Sequence, residues 1–210
     1  MSGIPGRHGP ASDQAALAAT ARLTAGWDQS RGSARLGEHV SRYGPLPARQ
    51  WSREHLADAV AEAGLTGRGG AGFPTGTKLR SVAGRRGPAV VVANGMESEP
   101  LSRKDQALLA RAPHLVLDGA VVAAIATGAS TVHVCLDSTR PGQAGAVRSA
   151  VEERRRADLD PVRVQVHELP HRYTASEETA LVRWLNGGEA KPMMTPPRPF
   201  ERGVGRHPTL

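Results

Sequence analysis

The chain has one cysteine, Cys135, in 210 residues. A single thiol excludes an internal disulfide, a four-cysteine zinc site and a cysteine-ligated iron–sulfur cluster held by this chain alone. Aromatic residues make up 3% of the sequence, including two phenylalanines, so a dense core must be built from Ala, Val and Leu. Lysine is scarce too: 3 of the 27 basic residues are Lys and 24 are Arg. The formal charge is +7, yet no basic stripe is interleaved with aromatic side chains as single-strand binding requires. The surplus therefore reads as a solvated, arginine-rich surface, and no nucleic acid is expected as a partner. No apolar run reaches the ~20 residues of a membrane helix, and residues 1–5 lack the apolar core of a signal peptide. The expectation is a cytoplasmic protein without direct membrane insertion, peripheral to the inner membrane only through partners.

What is present is an ordinary soluble composition, 39% hydrophobic and 22% charged. Residues 1–50 read as an N-terminal extension. Residues 1–12 are rich in Gly, Pro and Arg and expected to be disordered. Residues 13–25 form an Ala-rich helix capped by Asp13, and 26–50 give no clear period. Residues 51–200 carry the domain, and 201–210 form a tail. Ser52 caps a helix with Leu56 and Val60 on one face, closed by Gly64. A glycine-dense loop fills 67–76. Continuous or alternating apolar runs predict strands at 89–93, 132–136 and 162–166. Segments 114–128 and 144–156 predict helices, the second with an outer face of Glu152, Glu153 and Arg154 to Arg156. Ser176 is expected to cap a last helix, 177–185. Strands separated by helices of this length predict an α/β fold, a three-layer Rossmann-like domain with a mostly parallel sheet, preceded by a helical N-terminal segment. Ligands on such sheets bind beyond the carboxyl ends of the strands. Cys135 lies within an apolar stretch and is expected to fill core space.

The loop reads Gly67-Arg68-Gly69-Gly70-Ala71-Gly72-Phe73-Pro74-Thr75-Gly76-Thr77-Lys78. Its first six residues fit G-x-G-x-x-G, but the dinucleotide version follows a strand, and this loop follows a helix. A P-loop fails as well, because Thr77 separates Gly76 from Lys78. The chemistry still informs. Glycines let backbone N–H groups converge on an anion or lie against a ring, Lys78 supplies a charge suited to phosphate, and Phe73 offers a stacking surface.

At this loop the sequence resembles the NADH-binding flavoprotein subunit of respiratory complex I and its relatives in hydrogenases and formate dehydrogenases. Two further blocks agree in order. Residues 91–100, Val-Val-Ala-Asn-Gly-Met-Glu-Ser-Glu-Pro, resemble the family's strand ending in Asn-Ala-Asp-Glu-Gly-Glu-Pro. Residues 173–181, Tyr-Thr-Ala-Ser-Glu-Glu-Thr-Ala-Leu, resemble its Tyr-x-x-Gly-Glu-Glu-Thr-Ala-Leu. The resemblance implies FMN held by Gly67, Arg68, Gly69, Gly70, Lys78, Asn94, Glu97, Tyr173 and Glu177. It implies NADH contacted by Phe73, Glu99 and Glu178. Hydride passes between the two nucleotides with no catalytic side chain, and electrons leave through an iron–sulfur partner subunit, since the family's own cluster is not in this chain. The plain alternative for these glutamates is a set of solvated carboxylates at loops and helix starts.

The sequence also departs from the family pattern. Met96 replaces an Asp, Ser176 a Gly, and Ser81 and Arg198 two aromatics of the adenine site. The family's Asn-Asn-Val-Glu-Thr stretch, ubiquitin-like domain and four-cysteine domain do not follow Leu210, which reads as a fragment. Two functions are therefore expected: a flavin-dependent NADH oxidoreductase subunit, weak or inactive alone, or a degenerate nucleotide-binding or interaction module.

Overall fold

A computed structural model describes residues 22–27, 32–67, 72–97, 99 and 101–210. Residues 22–27 make a helical turn in an N-terminal unit spanning 1–32. The disorder expected for 1–12, Asp13 and most of its helix lie outside the described residues. The compact unit, Ser33–Leu210, runs α1 (Leu36–Tyr43), α2 (Arg53–Glu62), α3 (Thr75–Ala83), β1 (Ala89–Gly95), α4 (Lys104–Arg111), α5 (Pro113–Thr127), β2 (Ala129–Asp137), α6 (Pro141–Arg156), β3 (Arg163–Leu169) and α7 (Glu178–Leu185).

The sheet order is β1-β2-β3, and both pairings are parallel, as the alternation of strands and helices predicts. On the central strand, Val132, Val134 and Leu136 turn to one face and pack with Leu117, Ala120 and Ala124 of α5 and Val147 and Ala150 of α6. Each fully buried Val or Leu among them contributes roughly 1.5–3 kcal/mol, and each alanine less. Cys135 turns to the other face, where it packs with Leu169, Met96, Ala175 and Leu181 of α7. Helices on both faces give the three layers. Cys135 is fully buried, and burial pushes its thiol up to about 12. No single helix among the described residues is long and apolar enough to cross a membrane.

Local chemistry sets the boundaries. Ser52 Oγ accepts the His55 N–H at 3.2 Å, as expected of its cap position. Pro113 sits in the first turn of α5, and Gly128 ends that helix with φ +71. A Cβ there would meet only the flexible end of Arg53, so it is the left-handed conformation that calls for glycine. The expected Ser176 cap of α7 is corrected by one residue. Glu177 is the N-cap, its carboxylate accepting from the N–H groups of Thr179 at 2.9 Å and Ala180 at 3.1 Å. A carboxylate is an acceptor on both oxygens and complements the helix N-terminus better than a hydroxyl.

The outer face assigned to α6 also needs correction. Arg154 points inward and is 2% exposed. Its guanidinium reaches Asp160 at 2.7 and 2.9 Å and Asp118 at 2.8 Å, and His39 of α1 holds the other Asp118 oxygen at 2.8 Å. Glu153 accepts the Leu36 N–H at 2.8 Å and so fastens the start of α1 to α6. On the α7 side of the sheet, His133 Nδ1 and His167 Nε2 lie 2.8 Å apart across neighbouring strands, and Trp184 meets His167 edge-on.

The last residues join the sheet. Val90 N–H donates to Pro208 O at 2.9 Å, Val92 N–H to Leu210 O at 2.8 Å and Leu210 N–H to Val90 O at 2.9 Å. They run parallel to β1 on its outer edge, which positions them beside the cleft described next.

Candidate functional site

A cleft of about 560 Å³ opens along β1, between the glycine loop with α3 on one side and α7 with residues 198–200 on the other. Residues 68–71, including Arg68, Gly69 and Gly70, lie outside the described residues. The neck of their loop is fixed. Gly67 N–H donates to Phe73 O at 2.9 Å, and Thr75 N–H to Leu65 O at 2.8 Å. This holds Phe73 at the cleft, 46% exposed. Lys78, one turn into α3, places its ammonium 5.8 Å from the ring centroid. Asn94 enters from the carboxyl end of β1. Its amide nitrogen donates to Ser176 O at 2.8 Å and its oxygen accepts the Met96 N–H at 3.1 Å. That locks β1 to the turn preceding α7, from whose first residue Glu178 enters the cleft.

Of the residues singled out from sequence, Phe73, Lys78, Asn94 and Glu178 thus share one cleft. Others are employed nearby. Glu97 is buried at the start of α4, accepting from the Ser102 hydroxyl and from the N–H groups of Asp105 and Gln106 at 3.3 Å each. Burial raises its carboxyl, but these hydrogen bonds and Lys104 outweigh that and leave it below the ordinary range. Glu177 caps α7 as described. Gly67 belongs to the loop neck, and Glu99 is exposed, its carbonyl accepting Ser102 N–H. Tyr173 is 74% exposed on the loop after β3. Met96 turns into the core beside Cys135, so its thioether is packing rather than cleft wall. Ser81 and Arg198 do line the cleft.

Periodicity missed the apolar walls, Val92, Leu181 and Val182, and the floor formed by Thr209 and Leu210. It also missed Phe200, which faces the cleft while Arg85 covers its ring at 5.2 Å. The signal was available in composition: the two phenylalanines of the chain both line this one cleft.

The lining fits a phosphorylated aromatic ligand. Two rings and aliphatic walls suit a planar heterocycle, while Lys78 and Arg198 offer cations for phosphate. Glu178 offers an acceptor for hydroxyl donors, and the Asn94 amide is already oriented by the backbone. These groups fit a flavin nucleotide and a dinucleotide; among the described residues no cluster of three or more His, Cys, Asp or Glu side chains could hold a metal ion.

Comparison with known proteins gives the family. The family model described as the Nuo51 FMN-binding domain matches residues 60–206. The chain is similar to an NADH-quinone oxidoreductase subunit of Aquifex aeolicus, 33% identical over 171 residues, covering 76% of this chain and 39% of that protein. It is also similar to the corresponding NADH-quinone oxidoreductase subunits of Rhodobacter capsulatus, 34% identical with 75% and 39% covered, and Salmonella typhimurium, 33% identical with 83% and 42% covered. Among solved structures it resembles a chain of an NAD+-reducing [NiFe]-hydrogenase in the H2-reduced state. There the TM-score is 0.69 at 28% identity, covering 95% of this chain and 38% of that one. The chain thus spans about two fifths of the length of these relatives. With most of the sheet domain inside the matched segment, the chain belongs to the family of the Nuo51 FMN-binding domain.

Proposed function

We propose that this domain binds FMN and NADH in the cleft along β1, as a flavin-dependent NADH oxidoreductase subunit whose electrons pass to an iron–sulfur partner. The observation that supports it most is the convergence of Phe73, Lys78, Asn94 and Glu178, drawn from three separate sequence blocks, on one cleft. FMN supplies hydride acceptance and one-electron release when bound. The chain's own residues supply positioning: the rings of Phe73 and Phe200 stack, Lys78 and Arg198 pair with phosphates, Glu178 accepts from ribose hydroxyls, and the aliphatic walls exclude water.

A second reading, a nucleotide-binding module without turnover, draws on Ser81 and Arg198 in the cleft wall and on Glu97 and Glu177 being occupied as helix caps. We therefore expect the chain by itself to bind FMN yet oxidise NADH slowly. The test is a flavin fluorescence titration followed by an NADH:ferricyanide assay with excess FMN. Binding with turnover well below a typical ~10 per second is expected. Phe200→Ala should weaken NADH binding by roughly threefold to tenfold, the equivalent of a lost stacking contact. Ordinary turnover would discard the slow-turnover part. A chain that stays colourless with FMN but shifts its Tm with nucleotide would favour the second reading.

A further inference from the structure

The loop 198–207 is built rigidly to carry three arginines. Thr209 is its hub: its N–H donates to Pro199 O at 2.9 Å, its hydroxyl to His207 O at 3.0 Å, and its Oγ1 accepts Val204 N–H at 2.9 Å. Gly203 N–H closes onto His207 O at 2.8 Å, and a Cβ on Gly203 would collide with the Thr209 hydroxyl. Asn186 at the end of α7 clamps the loop from outside, donating to Gly203 O at 3.3 Å and accepting Gly205 N–H at 2.8 Å.

From this frame Arg198, Arg202 and Arg206 are all exposed. Among the described residues nine other arginines reach a carboxylate within 4 Å. These three reach none, as is also true of Arg42, Arg53, Arg86, Arg103, Arg163, Arg172 and Arg183; what sets the three apart is that they share one hydrogen-bonded loop at the cleft. The one carboxylate in the loop, Glu201, is taken by Arg85 at 3.6 Å and by the Arg198 N–H at 3.0 Å. Arg206 also stands at φ +68, a left-handed conformation costly for a residue with a Cβ. Such strain persists where the surroundings impose it, and it clusters at functional positions. A solvated surface has no need to hold an arginine that way.

We propose that this loop is the docking face for an acidic protein, the electron carrier that collects electrons from the cleft; in its second half this rests on the flavin reading above. Arg198 also lines the cleft, so a partner bound to this loop sits beside the cleft. Guanidinium forks pair with carboxylates in two-bond geometry, and unpaired surface charge steers weak redox encounters.

Docking is read directly, by fluorescence anisotropy of two labelled probes, an acidic [2Fe–2S] ferredoxin and a decaglutamate peptide, against the full chain. Duplex DNA serves as a third probe. Flavin binding is titrated separately, so failure to dock and failure to bind FMN are distinct results. Both acidic probes should bind at low salt and weaken as salt rises. R202E and R206E should each weaken them about fivefold or more. R163E, on the opposite edge strand, should cost less than about twofold. R206G should weaken binding without lowering Tm, because the strain is relieved. Equal losses from R163E, tighter binding to DNA than to the acidic probes, or a lower Tm for R206G would each overturn the proposal.

Discussion

Arg154→Ala is expected to destabilise the domain by about 3–5 kcal/mol, the usual cost of stripping one member from a buried ion cluster. The loss is not the arginine's own contribution. It is the exposure of Asp160 and Asp118, two largely buried carboxylates, to an interior without their countercharge. Burial pushes the Asp118 carboxyl up, and at present His39 and Arg154 outweigh it and hold it below the usual range. Removing the guanidinium reverses that balance. Because α1 reaches the rest of the molecule through His39 and Glu153, the damage should extend to that helix. Urea unfolding at pH 7 measures it. A triple variant, R154M with D118N and D160N, should recover much of the loss, because neutral groups leave no uncompensated charge in the interior. A change below about 1 kcal/mol for Arg154→Ala would mean the cluster is hydrated rather than dry.

Acid should destabilise the domain before its carboxylates titrate. His133 is held down to about 4 by burial first, then by the neighbouring His167 and by Arg163. His167 is lowered by burial and Arg148, and His114 by burial, Arg154 and His39. A depressed histidine binds its proton in the unfolded chain first. Stability is therefore complete above about pH 6.5 and is lost as pH falls from there toward 4. The full shift at His133 would be worth about 3 kcal/mol; discounted for a half-buried ring, about 1–2 kcal/mol is expected. His133→Gln keeps a hydrogen bond to His167 and removes the titration. Urea midpoints at pH 7 and pH 5 should differ less in that variant than in the parent. Identical differences would show that the pair does not sense pH.

What was legible in the sequence was the frame. Three valine-rich runs marked the strands, and their spacing by helices marked the parallel pairing: 89–93 is apolar on both faces, as a buried strand of an α/β sheet is, while 162–166 alternates Val with Arg and Gln, as a half-buried edge strand does. The three motif blocks brought Phe73, Lys78, Asn94 and Glu178 to one end of β1. The short helices α1 and α4 left no trace, since neither is held by its own periodicity. Glu153 satisfies the start of α1 from 117 residues away, and Glu97 caps α4 from the preceding loop. Arg154 was hidden inside a run of three arginines, where spacing alone cannot tell the inward one. Phe200 and the Thr209 hub depend on the tail lying along β1, a pairing between residues more than a hundred positions apart.

Cys135 gives the molecule a built-in gauge. It sits on the central strand, flanked on both sides by paired strands, and it is the one thiol in the chain. A reagent that attacks thiolates finds none in the folded state, where burial holds the proton on sulfur. Modification then has to wait for an opening large enough to free β2, close to full unfolding. The rate of thiol labelling therefore counts the unfolded fraction without any engineered reporter. A ligand that binds the folded cleft must slow that rate by the factor 1 + [L]/Kd. Affinity for flavin and for dinucleotide can thus be read from sulfur chemistry alone, even under conditions where no electron moves.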